Sequence, residues 1–228
     1  MSPRRGTCIE ELAAAIVAAR PGLPARVAID GVDGSGKTTL ADELVEPIRR
    51  ARREVIRASI DGFHNPRAIR YARGSDSPEG YFLDSFNYAA LCRELLEPLG
   101  PKGNRKFRAA MFDYRVDRAA ETPQRVAADD AVLLFDGVFL QRPELEGFWD
   151  LTIWVDAPFA ITVERAVARD ARNGGDAGET RGKYERRYVP GQQLYMRQCE
   201  PKERAGIVFD NADLARPTVR FRPRGGRG

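Results

Sequence analysis

Histidine and cysteine are scarce in this chain of 228 residues, and their scarcity excludes several classes of site. The single histidine, His64, gives poor support to Ser-His-Asp triads and to metal sites built from several imidazoles. The three cysteines, Cys8, Cys92 and Cys199, are odd in number and far apart, so they indicate neither a disulfide framework nor a zinc site. The expected compartment is therefore a reducing one, the cytoplasm.

Long apolar segments are missing as well. No run approaches the ~20 apolar residues that a membrane span requires, so no membrane partner is expected. Residues 9–20, IEELAAAIVAAR, contain two glutamates and have the pattern of an amphipathic helix rather than that of a signal peptide.

Lysine is rare too, because 32 of the 37 basic residues are arginine; the net charge is +4. The bias has two explanations: a GC-rich genome, or arginine selected because its planar fork holds two phosphate oxygens at once. Residues 218–228 are basic and glycine-rich, and they are predicted to form a flexible tail behind a single domain of residues 1–217. Short basic tails are usually just solvated, so nucleic acid is not an expected partner.

With 43% hydrophobic residues, the chain can bury one globular core. Apolar runs of strand length alternate with helical patterns, which predicts an α/β fold whose parallel sheet is covered on both faces. The predicted strands are residues 26–30, 54–60, 131–136, 150–155 and 206–210, and the predicted helices lie near 37–52, 87–98, 158–172 and 179–198.

An acidic residue closes or follows each predicted strand. These residues are Asp30, Asp61, Asp136, Asp156 and Asp210. Ligands of parallel α/β sheets bind beyond the carboxyl ends of the strands. The five carboxylates are therefore expected at one sheet edge, either as ordinary polar loop residues or as metal ligands and bases.

The segment GVDGSGKT, residues 31–38, has the spacing Gly31-x-x-x-x-Gly36-Lys37-Thr38 of a phosphate-binding loop, the Walker A motif. Its glycines would let the backbone approach a phosphate, Lys37 would reach the β and γ phosphates, and Thr38 would ligate Mg²⁺. The motif alone does not separate kinases from GTPases or motor ATPases. The base-recognition motif of GTPases, Asn/Thr-Lys-x-Asp, and the transporter signature Leu-Ser-Gly-Gly-Gln are both absent from the sequence.

Four segments in order, GVDGSGKTTL, SIDGFHNP, AVLLFDGVFL and RAVARDARN…RRYVPGQQLY, give the sequence a family resemblance. From about residue 24 to residue 215, the chain resembles the uridine kinase group of P-loop kinases, which is related to phosphoribulokinase and bacterial pantothenate kinase. The resemblance implies a P-loop NTPase three-layer sandwich with a five-stranded, mostly parallel sheet and a helical lid at about residues 169–187. It also implies transfer of the γ-phosphate of ATP to a hydroxyl of a small molecule.

The resemblance assigns roles residue by residue. Asp61 would accept the proton of the attacking hydroxyl, and Arg169 and Arg172 would be the lid arginines that neutralise the transferring phosphoryl group. Asp136 would hold Mg²⁺ through water or serve as a plain strand-end cap, and Asn211 would lie near adenine. The ATP triphosphate and Mg²⁺ would be bound by Gly31, Asp33, Gly34, Ser35, Gly36, Lys37, Thr38 and Thr39.

The acceptor region departs from the family pattern. Where uridine kinases read the pyrimidine with a tyrosine and a histidine, this chain has Phe112 and, nearby, Asp117, which argues against uridine. A polyol, a sugar, a vitamin-like alcohol or a nucleoside would each suit the mixture of rings and charges. The alternative from another class is a P-loop regulator that binds nucleotide without transferring phosphate. The sequence does not decide whether the nucleotide is ATP or GTP, or whether the protein is a monomer or a homo-oligomer. The predicted acceptor residues are His64, Arg67, Tyr81, Phe82, Asp84, Phe112, Asp113 and Arg115.

Overall fold

The structure, a computed structural model, describes residues 2–222 and is built around a six-stranded sheet. Its strand order is β10-β9-β8-β1-β7-β2, and the two further strand pairs are β3 with β6 and β4 with β5. The strands are β1 (Ala25–Gly31), β2 (Val55–Ser59), β3 (Lys106–Phe107), β4 (Phe112–Asp113), β5 (Arg118–Ala119), β6 (Arg125–Val126), β7 (Val132–Gly137), β8 (Leu151–Asp156), β9 (Ile207–Asp210) and β10 (Thr218–Phe221).

Helices cover both faces of the sheet. They are α1 (Pro3–Val17), α2 (Lys37–Glu43), α3 (Val45–Arg50), α4 (Arg67–Arg70), α5 (Pro78–Asp84), α6 (Tyr88–Leu91), α7 (Phe159–Arg172), α8 (Ala177–Lys183), α9 (Val189–Cys199) and α10 (Pro201–Arg204). A π-helical segment, Cys92–Leu96, extends α6, and another, Tyr184–Tyr188, joins α8 to α9.

The predicted α/β fold is confirmed, and all five predicted strands are present and parallel. The sheet has one strand more than expected, because β10 pairs antiparallel with β9, with Thr218 opposite Asp210. The prediction of a flexible tail from residue 218 is therefore wrong for Thr218–Phe221, which form an edge strand. The rest of that predicted tail, residues 223–228, lies outside the described residues.

Alternate residues of each central strand enter two separate cores. On β7, Leu133 and Phe135 pack on one side of the sheet, while Val132 and Leu134 pack on the other. The first core is covered mainly by α5, α6 and α9, and the second by α1, α2 and α3. Burial on both faces explains why these strands read as continuous apolar runs.

One predicted helical stretch is divided. The helix expected over residues 37–52 breaks into α2 and α3 at Leu44, because Pro47 has no N–H to donate to the carbonyl of Glu43. Residues 105–116 contain the short strands β3 and β4, and each pairs with a later strand rather than with the other. No helix within residues 2–222 has both the length and the apolar character that crossing a bilayer takes.

Candidate active site

The glycine-rich loop connects the carboxyl end of β1 to the start of α2, as its sequence predicts. Gly34 has φ +76°, and a Cβ there would lie 2.2 Å from the carbonyl oxygen of Thr162. Gly36, with φ +99°, caps α2, and a Cβ there would lie 2.5 Å from Nδ2 of Asn211. Both positions require glycine, so the loop packs closely while its N–H groups line a concave surface suited to phosphate.

Lys37 is the first residue of α2, and its side chain folds back over the loop. Its Nζ donates to the carbonyl oxygen of Val32 at 2.9 Å, and the residue is buried. The ammonium group is thereby held inside the curve of the loop, which is where a triphosphate would need a cation.

Thr38 and Asp136 meet at the mouth of the loop. The Thr38 hydroxyl donates to Oδ2 of Asp136 at 2.7 Å, and Nη1 of Arg57 donates to Oδ1 at 3.0 Å. Asp136 was predicted to be either a strand-end cap or a Mg²⁺ ligand, and Thr38 was the other predicted Mg²⁺ ligand. The structure brings these two side chains into contact. Arg57, on the adjacent strand β2, was not anticipated from the sequence.

This donor set fits Mg²⁺ better than a protein-only metal cage. Within residues 2–222, no three His, Cys, Asp or Glu side chains are grouped to hold an ion by themselves. Mg²⁺ usually binds through one or two carboxylates, with water and substrate phosphates completing its shell. Asp136 and Thr38 beside a phosphate loop supply that partial shell.

Asp61 lies in a short 3-10 turn, Ile60–Phe63, that follows β2 directly. Ser59, two residues earlier, is the register partner of Asp136, so both carboxylates belong to the same edge of the sheet. The Asp61 side chain is exposed over 60% of its surface, and His64 Nδ1 is 4.0 Å from its Oδ1.

The surroundings of Asp61 favour its protonated form. Desolvation raises the pKa of the Asp61 carboxyl, and the charges of Asp33 and Asp136 raise it further, against the opposing effect of His64 and Lys37. The imidazole of His64 packs at a tilt against Phe86, at 4.6 Å, and Tyr114, at 4.7 Å between ring centroids, and burial lowers its pKa. A carboxylate with a raised pKa is a better proton acceptor near neutral pH than an ordinary aspartate.

The other three strand-end carboxylates have structural partners. Asp156 accepts from Lys202 Nζ at 2.7 Å, and Asp210 accepts from the backbone N–H of Ala212. Asp30 is fully buried beneath the phosphate loop, where Oδ1 accepts from the N–H of Gly31 at 2.8 Å. The predicted clustering therefore leaves Asp61 and Asp136 as the strand-end carboxylates available for chemistry.

Asp30 also ties the loop to distant elements. Its Oδ2 accepts from the hydroxyl of Tyr195 on α9 and from Nε2 of Gln141, which follows β7, at 3.2 Å. Burial raises the pKa of Asp30 to about 6, although these hydrogen bonds and the charge of Lys37 oppose the shift.

The raised pKa of Asp30 predicts a pH dependence of stability. Because the folded pKa, about 6, exceeds the ordinary value of 3.8, the stabilisation is complete below pH 3.8 and is lost as pH rises through 6. We expect the free energy of unfolding of the wild type, measured by urea denaturation relative to Asp30→Asn, to fall on the order of 3 kcal/mol over this window. A difference that stays constant with pH would contradict this assignment.

Tyr81 and Gln192 also hold the phosphate loop in place, through Asp33. The Asp33 carboxylate accepts from the Tyr81 hydroxyl at 2.8 Å and from Gln192 Nε2 at 3.0 Å, while the Asp33 N–H donates to Gln192 Oε1 at 2.9 Å. Tyr81, predicted to line the acceptor site, is buried with its hydroxyl engaged by Asp33. Its position indicates a role in holding the phosphate loop.

Asn211 is also buried against the loop. Its Nδ2 donates to the carbonyl oxygen of Ser35 at 2.6 Å, and its Oδ1 accepts from Arg5 Nη1 at 2.9 Å. Arg5 in turn forms an ion pair with Glu43 on α2. The side chain predicted to lie near adenine therefore contacts loop and helix α1, and adenine contact by it stays a prediction.

Helix α7 carries three arginines, Arg165, Arg169 and Arg172, which have different partners. Arg165 donates to the carbonyl oxygens of Asn211 and Ala212, at 3.0 and 2.8 Å, and so supports the loop after β9. Arg169 forms an exposed ion pair with Asp170, and Arg172 donates to the carbonyl oxygen of Ala168. Arg169 and Arg172 are the two with exposed guanidinium groups at the end of α7, where the predicted lid begins.

The predicted acceptor residues fall into two groups. Phe82 is buried in the core, and Asp84 is bound by Arg73 at 2.7 Å. The others, Arg67, Phe112, Asp113 and Arg115, lie on residues 64–73 and 111–119, two segments that meet where Tyr114 packs against His64.

Comparisons with known proteins agree with this geometry. No family model matches the chain. The uridine kinase of Leuconostoc citreum is 26% identical over 192 residues, which cover 82% of this chain and 86% of that protein. The uridine kinase of Clostridium novyi is 26% identical over 155 residues, covering 67% and 71%. A solved structure described as a possible uridine kinase from Bacillus stearothermophilus has a TM-score of 0.71 at 25% identity, covering 90% of this chain and 99% of that one.

These relatives support a kinase, with the nucleotide-binding P-loop that such enzymes share, at the level of the family. Their low identity leaves the acceptor open. The resemblance indicated by the motifs is confirmed: the chain is similar to uridine kinases over most of its length, and it has the fold of the uridine kinase-like P-loop kinases.

Proposed function

We propose that this protein is an ATP- and Mg²⁺-dependent kinase of uridine kinase-like type that phosphorylates a hydroxyl group of a small molecule. The observation that carries the proposal is the hydrogen bond of 2.7 Å between Thr38 and Asp136, at the mouth of the phosphate loop. Asp61 follows the neighbouring strand at the same sheet edge. The residues that we propose as phosphate cradle, partial Mg²⁺ shell and proton acceptor thus belong to one edge of the sheet.

Each group has a separate task in the proposed reaction. The loop N–H groups and Lys37 would bind the triphosphate, and Thr38 and Asp136 would hold Mg²⁺, whose chemistry is to neutralise phosphate charge. The acceptor hydroxyl oxygen would form a bond to the γ-phosphorus while the bond from that phosphorus to the β–γ bridging oxygen breaks. The hydroxyl proton would pass to Asp61, and ADP would leave.

The rival is a nucleotide-binding regulator that transfers no phosphate. The raised pKa of Asp61 favours the kinase, because a regulator has no need of a proton acceptor beside its phosphate loop. The deciding experiment incubates the protein with ATP, Mg²⁺ and a panel of nucleosides, sugars, polyols and pantothenate-like alcohols, and detects phosphorylated product by mass spectrometry. Nucleotide binding without any phosphorylated acceptor would favour the regulator.

Uridine itself is expected to be a poor acceptor, although the curated relatives are named uridine kinases. Phe112 cannot donate the hydrogen bond of the tyrosine expected at this position, and a site built on such donors discriminates strongly. A sugar or pantothenate-like alcohol remains the alternative. Steady-state assays with uridine should give kcat/KM below about 10⁴ M⁻¹s⁻¹, and a higher value would restore uridine as the substrate.

A further inference from the structure

Two segments next to the Asp61 turn have an unexplained surplus of positive charge. We call them the acceptor wall: residues 64–73 and residues 111–119. They form one surface with the Asp61 turn, because the N–H of Met111 donates to the carbonyl oxygen of Gly62 at 2.7 Å. The two segments are joined to each other by a hydrogen bond of 2.7 Å from the N–H of Arg67 to Oδ1 of Asp117.

The wall contains five arginines and two aspartates, and two of the arginines form ion pairs. Arg70 pairs with Asp117 at 3.2 Å, and Arg73 pairs with Asp84 of helix α5 at 2.7 Å. Arg118 is the register partner of Asp113 across the β4–β5 strand pair, but the two side chains form no ion pair. Arg67, Arg115 and Arg118 therefore have no ion pair with a carboxylate among residues 2–222.

Two of these three arginines, Arg67 and Arg115, lie on tyrosine rings. The guanidinium carbon of Arg67 is 5.1 Å from the ring centroid of Tyr71, and that of Arg115 is 5.5 Å from the ring centroid of Tyr114. A guanidinium stacked on a ring is restrained, yet the N–H groups along its edge stay free to bind a carboxylate or phosphate in two places at once.

The stacking continues to the catalytic turn. Tyr114 lies on the imidazole of His64 at 4.7 Å between centroids, and His64 Nδ1 is 2.9 Å from the carbonyl oxygen of Asp61. Arg115, Tyr114, His64 and Asp61 therefore form one continuous row. Arg67 stands three residues beyond His64, so cations without counter-ions flank the expected path of the acceptor to Asp61.

We infer that the acceptor is an anionic alcohol, a hydroxyl compound that also carries a carboxylate or a phosphate, and that Arg67 and Arg115 bind this anionic group. The inference rests on the proposed kinase function and specifies its substrate class. Its physical reason is charge: Asp61, Asp33 and a bound triphosphate would together repel an anionic acceptor, and two free guanidinium groups would offset that repulsion. A neutral acceptor would leave both cations without a ligand.

Matched pairs of acceptors test the inference. Glycerate and gluconate are compared with their amides, and ribose 5-phosphate and fructose 6-phosphate with the free sugars. Binding is measured by calorimetry with Mg²⁺ and a non-hydrolysable ATP analogue, and transfer is measured separately with ATP. We expect an anionic member to bind at least about tenfold tighter than its neutral counterpart, since charge-assisted hydrogen bonds are the strong ones. Comparing the carboxylate pairs with the phosphate pairs shows which of the two anionic groups the site prefers.

Substitutions at the wall provide the second part of the test. Arg67→Gln and Arg115→Gln should each weaken binding of the preferred anion by about 10–100-fold and leave binding of the ATP analogue unchanged. Arg67→Lys and Arg115→Lys should restore part of the anion binding. Arg220→Gln is the matched control, because Arg220 is also exposed and lies on β10, at the opposite edge of the sheet from β2.

The outcomes separate this inference from the proposed function. Anion binding that depends on Arg67 and Arg115 but is never followed by transfer supports the inference and contradicts the kinase. Transfer to a neutral alcohol at least as fast as to its anionic counterpart supports the kinase and overturns the inference. Unchanged anion binding in both glutamine variants, or no binding by any anionic member, also overturns it.

Discussion

Asp61→Asn is expected to lower kcat by roughly 10²–10⁴-fold, because asparagine keeps the shape of the side chain and cannot accept the hydroxyl proton. The lower end of this range is expected, since proton transfer contributes less when the transition state is loose. ATP affinity should change little, because Asp61 is expected to face the acceptor and not the triphosphate. The measurement is steady-state kinetics with a confirmed acceptor, together with nucleotide binding by calorimetry.

The pH profile is part of the same prediction. As the proposed base, Asp61 would act only when ionised, and its pKa is raised above 3.8, so kcat/KM of the wild type should fall as pH drops through that raised pKa. The acid limb should therefore lie higher than an ordinary aspartate would place it. Asp210→Asn is the matched control, because Asp210 also ends a parallel strand but accepts only from the N–H of Ala212. Near-normal turnover of Asp61→Asn would make Asp61 a turn residue.

Lys37→Ala is expected to reduce turnover by roughly 10²–10³-fold or more, because it removes the cation that the loop directs towards the phosphates. The fold should survive. The Lys37 side chain is buried, but the hydrogen bond that the variant loses, to the carbonyl oxygen of Val32, contributes only about 1 kcal/mol to stability. The melting temperature should fall by a few degrees at most.

A second lysine provides the control for this change. Lys102 is exposed, and Lys102→Ala should alter neither turnover nor melting temperature. Kinetics with Mg²⁺ and ATP and a thermal melt of each variant make the comparison. If Lys37→Ala turned over substrate as fast as the wild type, the assignment of residues 31–38 as a phosphate loop would be wrong.

The central strands were predictable because their signal is local. Val132–Gly137, for example, is buried throughout, and its apolar run is visible without any knowledge of its neighbours. Strand β10 was missed because Thr218–Phe221 is short, is mostly exposed and pairs only with β9. Its strand conformation depends on a partner, which a local pattern cannot supply.

The candidate site also has one part that a local sequence pattern predicts and another part that it does not. The phosphate loop is contained in eight consecutive residues, whereas the side chains that position it come from far along the chain. Tyr195 is 165 residues from Asp30, and Gln192 is 159 residues from Asp33. Neither residue type has a spacing that marks it as functional. Arg57 was missed for another reason: on a strand it resembles any polar residue until Asp136 of the next strand is seen beside it.

The contacts of Asn211 restrict which amino acids that position can hold. Its amide gives one hydrogen to the Ser35 carbonyl and takes one from Arg5, so the group must be donor and acceptor at once. Aspartate has the same outline, but when ionised it only accepts, and two oxygens would then face each other across 2.6 Å. Leucine has a similar volume and would remove the hydrogen-bond partner of the Ser35 carbonyl and of Arg5 Nη1, although the rest of the Arg5 guanidinium would keep its ion pair with Glu43. Among side chains of this size and shape, asparagine alone suits the position.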